Sequence, residues 1–219
     1  MIRLQNLTKT YYLNGRQKTV ADNITQVFPT GASVALMGRN GAGKSSLLRM
    51  ISGGLLPTSG KIYSTGTISW PVGFAGSFHG ELTGSQNVRF VARIYGIDSQ
   101  EMLDFVEDFA DLGQHFHLPF RTYSSGMRSR LAFGVSMAVP FDTYLIDEVT
   151  SVGDANFRAK SNEVLHARLA NAGAVVVSHG LGMLKEICDC GAVLENGKLT
   201  FYNDLQDAID HHTANMTRR

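Results

Sequence analysis

The sequence predicts an α/β fold with a helical segment set into it, and three observations carry the prediction. Short apolar runs alternate with helical patterns along most of the chain. One of these runs, SVALM from Ser33 to Met37, leads into a glycine-rich stretch that opens a helix. From about residue 78 to about residue 140 the strand pattern stops and helical periodicity replaces it.

The elements follow in order. Ile2 to Leu7 and Val20 to Phe28 read as strands of a small antiparallel β region. SVALM is short and, after Ser33, apolar throughout, as a strand buried on both faces should be. Lys44 to Ser52 is helical and stops at Gly53-Gly54. In DSQEMLDFVEDFADL, Asp98 can cap a helix, with Glu101 completing a capping box. Met102, Phe105, Val106, Phe109 and Leu112 then recur at helical spacing. A second inserted helix follows YSSGM and runs to Pro140; Ser124 or Ser125 caps it, and Arg128 and Arg130 face solvent. Tyr144 to Ile146 is another buried strand. Ala155 to Ala172 is a helix with Phe157, Val164, Leu165 and Leu169 on one face, and Ala174 to Val177 is a further strand. The whole chain, 1–219, reads as a single domain, its core about 1–77 and 141–219 and its helical subdomain about 78–140.

Bulk composition excludes several classes. The chain has 219 residues and a net charge of +1, so nothing electrostatic points to nucleic acid as a partner. Cys188 and Cys190 are separated by one residue, too close for a disulfide framework and too few for structural zinc. Two reduced thiols are expected. No signal peptide opens the chain, and no apolar run reaches membrane-spanning length, so direct membrane insertion is not expected. Any work at a membrane then needs a separate anchor.

The chemistry begins after SVALM. Residues Gly38 to Ser45, GRNGAGKS, fit G-x-x-x-x-G-K-[ST] in the strand-to-helix context that a phosphate loop requires. Gly38, Gly41 and Gly43 let the backbone curl, so that amides from Arg39, Asn40 and Ala42 onward point at phosphate oxygens. The helix start adds partial positive charge. Lys44 reaches the β- and γ-phosphates, the Ser45 hydroxyl ligates Mg²⁺, and Ser46 completes the nucleotide-binding run. Downstream, DTYLIDE is an apolar strand ending in two carboxylates. Asp147 is placed to hold Mg²⁺, directly or through water, and Glu148 to polarise an attacking water.

A phosphate loop with an acidic strand serves kinases, GTPases, helicases and transport ATPases alike. Tyr123-Ser124-Ser125-Gly126-Met127 narrows the choice, because it resembles the LSGGQ signature of ABC ATPases. Ser124 and Gly126 match; Tyr123, Ser125 and Met127 depart. Ser151-Val152-Gly153-Asp154 resembles that family's D-loop, with Asp154 as its aspartate. Val175 to Ser178 followed by His179 resembles its switch strand and histidine. Tyr11 sits where the family stacks an aromatic ring on adenine, with Tyr12 the alternative. The resemblance covers nearly the whole chain. It implies an ATP hydrolase that pairs head to tail in the ATP-bound state. Ser124, Ser125 and Gly126 then close on the ATP held by the other copy, while Glu148, His179 and Lys44 act in catalysis.

One branch is especially similar: the ATP-binding subunits of bacterial ABC transporters that export capsular polysaccharide. GSFHGELTG, YSSGMRSRLAFGVSMA and LIDEVTSVGDANF carry that likeness. Exporters of O-antigen or teichoic acid share much of it; the short tail from Leu205 to His212 favours the capsule type over O-antigen relatives with an extra C-terminal domain. A non-transport ABC ATPase acting on nucleic acid or ribosomes is the more remote alternative. The resemblance implies inner-membrane association from the cytoplasmic face, through an integral membrane subunit docked near Gly73–Arg89. Phe74, Phe78 and Leu82 there either offer apolar anchors or pack locally within the helical insertion. This region lacks the glutamine most relatives carry there; a backbone carbonyl, Ser77 or His79 with water are the candidate substitutes. His115, His117, His211 and His212 match no motif and read as surface residues.

Overall fold

The computed structural model describes residues 1–13, 15–76, 78–147, 154–178 and 180–217. In chain order the elements are β1 (Ile2–Leu13), β2 (Arg16–Phe28), β3 (Ser33–Met37), α1 (Lys44–Ile51), β4 (Ser59–Ser64), β5 (Ile68–Pro71), α2 (Gly84–Tyr95), α3 (Ser99–Ala110) and α4 (Ser125–Ala138). Then follow β6 (Thr143–Asp147), α5 (Ala155–Leu169), β7 (Gly173–Val177), α6 (Leu181–Ile187), β8 (Cys190–Glu195), β9 (Lys198–Tyr202) and α7 (Leu205–Thr217). They gather into two compact units. An α/β unit takes residues 1–71, 141–148 and 169–219; a helical unit takes 72–140 and 149–168.

The α/β unit holds two sheets. The larger has strand order β5-β6-β7-β3-β8-β9, parallel except for β9, which pairs antiparallel with β8. All five residues of β3 and of β7 are buried, which is why SVALM and GAVVV show no alternation. The smaller sheet, β2-β1-β4, is antiparallel. Its hairpin is longer than the apolar pattern predicts, because Thr8 to Leu13 and Arg16 to Thr19 are mostly polar and held by the β1–β2 ladder rather than by burial. One core joins both sheets through α1: Leu4, Leu7, Ile24 and Phe28 from one side, Leu36, Leu145, Val175 and Leu194 from the other, with Leu47, Leu48 and Ile51 among them. Cys188 and Cys190 are free and buried. Burial pushes the Cys188 thiol up to about 12 and that of Cys190 up to about 11.

The helical unit packs around aromatic rings. Phe109 of α3 stacks on Phe133 of α4 at 5.6 Å and meets Phe157 of α5 edge-on at 5.2 Å. A polar clasp orders the segment leading into α2. Asn87, almost wholly buried, accepts from the His79 amide at 2.8 Å and directs its own amide at the carbonyls of His79, Leu82 and Thr83. Asp98 caps α3 through Oδ1, which accepts from Gln100 and Glu101. The reciprocal capping box forms one helix earlier, between Thr83 and Gln86.

Two sets of surface residues are placed differently from expectation. Arg128 does not project into solvent: it donates to the carbonyls of Tyr123 and Arg121 at 3.1 and 2.9 Å and lies over the Phe120 ring. Arg130 pairs with Asp154 and covers Phe157. Both arginines fold along apolar rings while satisfying their guanidinium groups on nearby oxygens. His211 and His212 are half-buried rather than exposed. His211 is held by the Tyr202 hydroxyl and the Asn215 amide, both at 2.9 Å.

Candidate nucleotide site

The carboxyl ends of β3, β6 and β7 meet at one rim of the large sheet, where open α/β sheets place their ligands. β3 ends at Met37 and the chain turns through Gly38 to Gly43 into α1. Two glycines are required there by close approach. A Cβ on Gly38 would strike the Leu194 carbonyl, and one on Gly43 would lie 2.7 Å from the Val20 Cβ, at φ +111°. Gly43 is the N-cap of α1, and no side chain caps that helix. The first-turn amides of a helix have no acceptor within it, so this start is suited to an anion.

A cleft of about 1310 Å³ opens over the loop. Asn40, Gly41, Gly43, Lys44, Ser45 and Ser46 form its floor; Asp147 and Val177 stand at the strand ends; Tyr11, Arg16, Gln17, Lys18 and Val20 form the hairpin wall. The Lys44 ammonium donates to the carbonyls of Gly38 and Arg39, at 2.8 and 3.3 Å, which holds it across the loop. Gly38, Arg39 and Ala42 shape the loop rather than line the cleft, and the Ala42 amide donates to the Arg39 carbonyl at 3.0 Å. Tyr11 is tied to the loop helix, its hydroxyl 3.0 Å from that of Ser46, and the Lys9 ammonium lies 5.1 Å from its ring centre. Tyr12, 75% exposed, is not among the cleft residues. Ser45 and Asp147 bring a hydroxyl and a carboxylate to the same cleft, the hard oxygen donors that suit Mg²⁺. Glu148, His179, Ser77 and the D-loop residues Ser151 to Gly153 lie outside the described residues.

The signature residues belong to the helical unit. Ser124 is the N-cap of α4, its hydroxyl accepting from the Met127 amide at 3.2 Å. The Ser125 carbonyl accepts from the Ser129 hydroxyl. Around a Cβ built on Gly126 the nearest atom is the Ser124 hydroxyl at 4.0 Å, so this backbone stands open to a close neighbour. Ser124, Gly126, Met127 and Arg130 line a hollow of about 320 Å³ with Asp111, Leu112 and His115. Asp154 caps α5 through the Phe157 amide and binds Arg130 at 2.9 Å. These contacts, the Phe157 amide first, hold its carboxyl below the usual range. The Asp154–Arg130 pair links the two motifs through a long-range contact that helical periodicity cannot reveal. The hairpin wall was also missed, although Arg16, Lys18 and Val20 at alternate positions on one strand were a signal for it.

The cleft and its loop define a P-loop nucleotide-binding protein. The ABC transporter family profile matches residues 21–151. Over nearly its full length the chain is 50% identical to the polysialic acid transport ATP-binding protein KpsT of Escherichia coli, covering 97% of this chain and 96% of that one. It is 42% identical to the capsule polysaccharide export ATP-binding protein CtrD of Neisseria meningitidis, covering 98% and 99%. Identity falls to 35% against the O-antigen export system ATP-binding protein RfbB of Klebsiella pneumoniae, covering 93% and 85%. Among solved structures, a dimeric ATP-binding cassette bound to ADP and Pi shares the fold, with a TM-score of 0.77 at 22% identity over 94% of this chain and 99% of that one. The chain belongs to the ABC transporter family, as an ATP-hydrolysing subunit.

Proposed function

We propose that this chain powers export of capsular polysaccharide across the bacterial inner membrane. It works as an ATP-bound homodimer, peripheral on the cytoplasmic face, through a separate integral membrane subunit. The observation that carries this reading is the full-length likeness to capsule-export ATP-binding proteins, joined to a cleft that unites Tyr11, Lys44, Ser45 and Asp147.

Each residue then has a task. Tyr11 stacks on adenine, and Gly38 to Ser46 wrap the phosphates, with Lys44 countering charge on the β and γ groups. Ser45 and Asp147 would hold Mg²⁺, which neutralises phosphate charge when bound. Glu148 orients the attacking water as general base, and His179 contacts that water and the γ-phosphate. Ser124, Ser125 and Gly126 of a second copy complete the site, offering a hydroxyl, an open backbone and a helix start to an anion. Asp154 is held to α4 of its own chain through Arg130. ATP thereby becomes part of the dimer interface, and its hydrolysis releases the halves. The membrane subunit docks near Gly73–Arg89, where Phe74 is 54% exposed.

The test is deletion of the gene in its own bacterium. Surface capsule should be lost and polysaccharide retained inside the cell, with rescue by the wild-type gene but not by Lys44→Ala. Undiminished surface capsule in the deletion strain would overturn the export assignment while leaving the ATPase standing.

A further inference from the structure

The hairpin wall supplies a cation that no motif announced. Lys18 sits on β2, two residues before Val20, whose Cβ fits under Gly43. It lines the cleft beside Arg16, and its ammonium reaches over the loop: a Cβ built on Gly41 would lie 3.5 Å from Lys18 Nζ. Lys44 lies against another part of the same loop, on the Gly38 carbonyl. Two ammonium groups thus approach one turn of backbone, from a strand and from a helix. Arg16 adds a third cation to the cleft, against the single carboxylate of Asp147 among the described residues lining it. So much positive charge suits a ligand with several negative charges in a row.

We infer that Lys18 is a second phosphate-binding residue, contacting the polyphosphate of the nucleotide from the hairpin side and favouring di- and triphosphates over nucleosides. The inference rests on the nucleotide reading of the cleft and adds a residue to it. The β1–β2 hairpin then does two jobs in the cleft. Tyr11 presents a ring, and Lys18 presents a charge to the other end of the ligand. Because Lys18 is exposed, its contact is partly screened by solvent and salt. The expected effect is therefore moderate, well below that of Lys44.

The experiment measures ATP, ADP and adenosine affinity by titration calorimetry for the wild-type chain, Lys18→Gln and Lys18→Arg, at low and at high salt. Lys18→Gln should raise the Kd for ATP and ADP about three- to tenfold at low salt, less at high salt. Lys18→Arg should recover most of the loss, and adenosine binding should not change. Melting curves of the variants should overlay that of the wild type. An unchanged ATP Kd in Lys18→Gln would overturn the inference. So would a loss that neither arginine nor salt affects, since that would mark a structural role for the side chain. Failure of the wild-type chain itself to bind ATP would instead overturn the nucleotide reading.

Discussion

The phosphate loop and the segment leading into α2 are both irregular, glycine-containing stretches, yet they are held in opposite ways. The loop is a backbone device. Its glycines allow close approach to Val20 and Leu194, and its lysine folds over its own carbonyls. Eight contiguous residues carry the whole instruction. The segment before α2 is a side-chain device: one buried Asn87 gathers three carbonyls and the His79 amide into one network. A motif is easily read where the backbone does the chemistry, and hard to read where one side chain reaches back across a loop.

The comparison predicts where substitutions should be felt. The largest effect belongs to the loop's chemistry. Lys44→Ala should lower ATP turnover by about 100-fold or more while lowering the melting temperature less than Gly43→Ala does, since besides the phosphate contact it loses part-buried and exposed hydrogen bonds to the Gly38 and Arg39 carbonyls. Gly43→Ala should damage both properties. The added Cβ meets Val20 in a backbone conformation that disfavours it, which should cost about 2 kcal/mol or more of stability in denaturant unfolding. Asn87→Ala should do the reverse of Lys44→Ala, losing about 2–3 kcal/mol in the same assay while ATP affinity holds. Equal loss of ATP affinity would break the contrast between the two stretches.

Smaller effects sharpen it. Phe78 stacks edge-on against Phe120 at 5.2 Å, whereas Phe74 is exposed. Phe74→Ala should therefore impair transport while sparing detergent-solubilised ATPase activity, and Phe78→Ala should also lower stability. The smallest effect is one of pH. Cys188 is raised from 9.0 to about 12 in the folded chain, so the folded state keeps a proton that the unfolded state gives up above about pH 9. Its contribution is complete below that pH and is lost as pH climbs toward 12. Thermal melting should fall across this range, and Cys188→Ala should flatten the fall.

Much of the fold could be read because its central strands are buried on both faces and α3 keeps a helical period, while α4, buried at every position from Leu131 to Met137, was marked by the YSSGM start and Pro140. The motif order pointed to the site for the same reason, as each motif is local. The hairpin's outer half escaped because Lys9, Thr10, Arg16 and Gln17 are polar and held by strand pairing and by hydrogen bonds such as Lys9 to the Leu56 carbonyl, not by an apolar face. Arg128 and Arg130 were misplaced because charge suggests solvent, whereas a guanidinium can lie on an aromatic ring with its N–H groups on carbonyls or a carboxylate. The Lys18 position depends on strand register, which the hairpin turn and packing set and no motif marks.

The central claim is that one active site needs two chains. The measurement that tests it most directly is ATPase activity against protein concentration, with Glu148→Gln and Ser124→Arg beside the wild type. Specific activity should rise with concentration. Glu148→Gln should stop turnover and trap an ATP-bound dimer on gel filtration, and Ser124→Arg should prevent that dimer. Full activity from a monomer, indifferent to Ser124→Arg, would contradict the account and leave YSSGM as a helix cap.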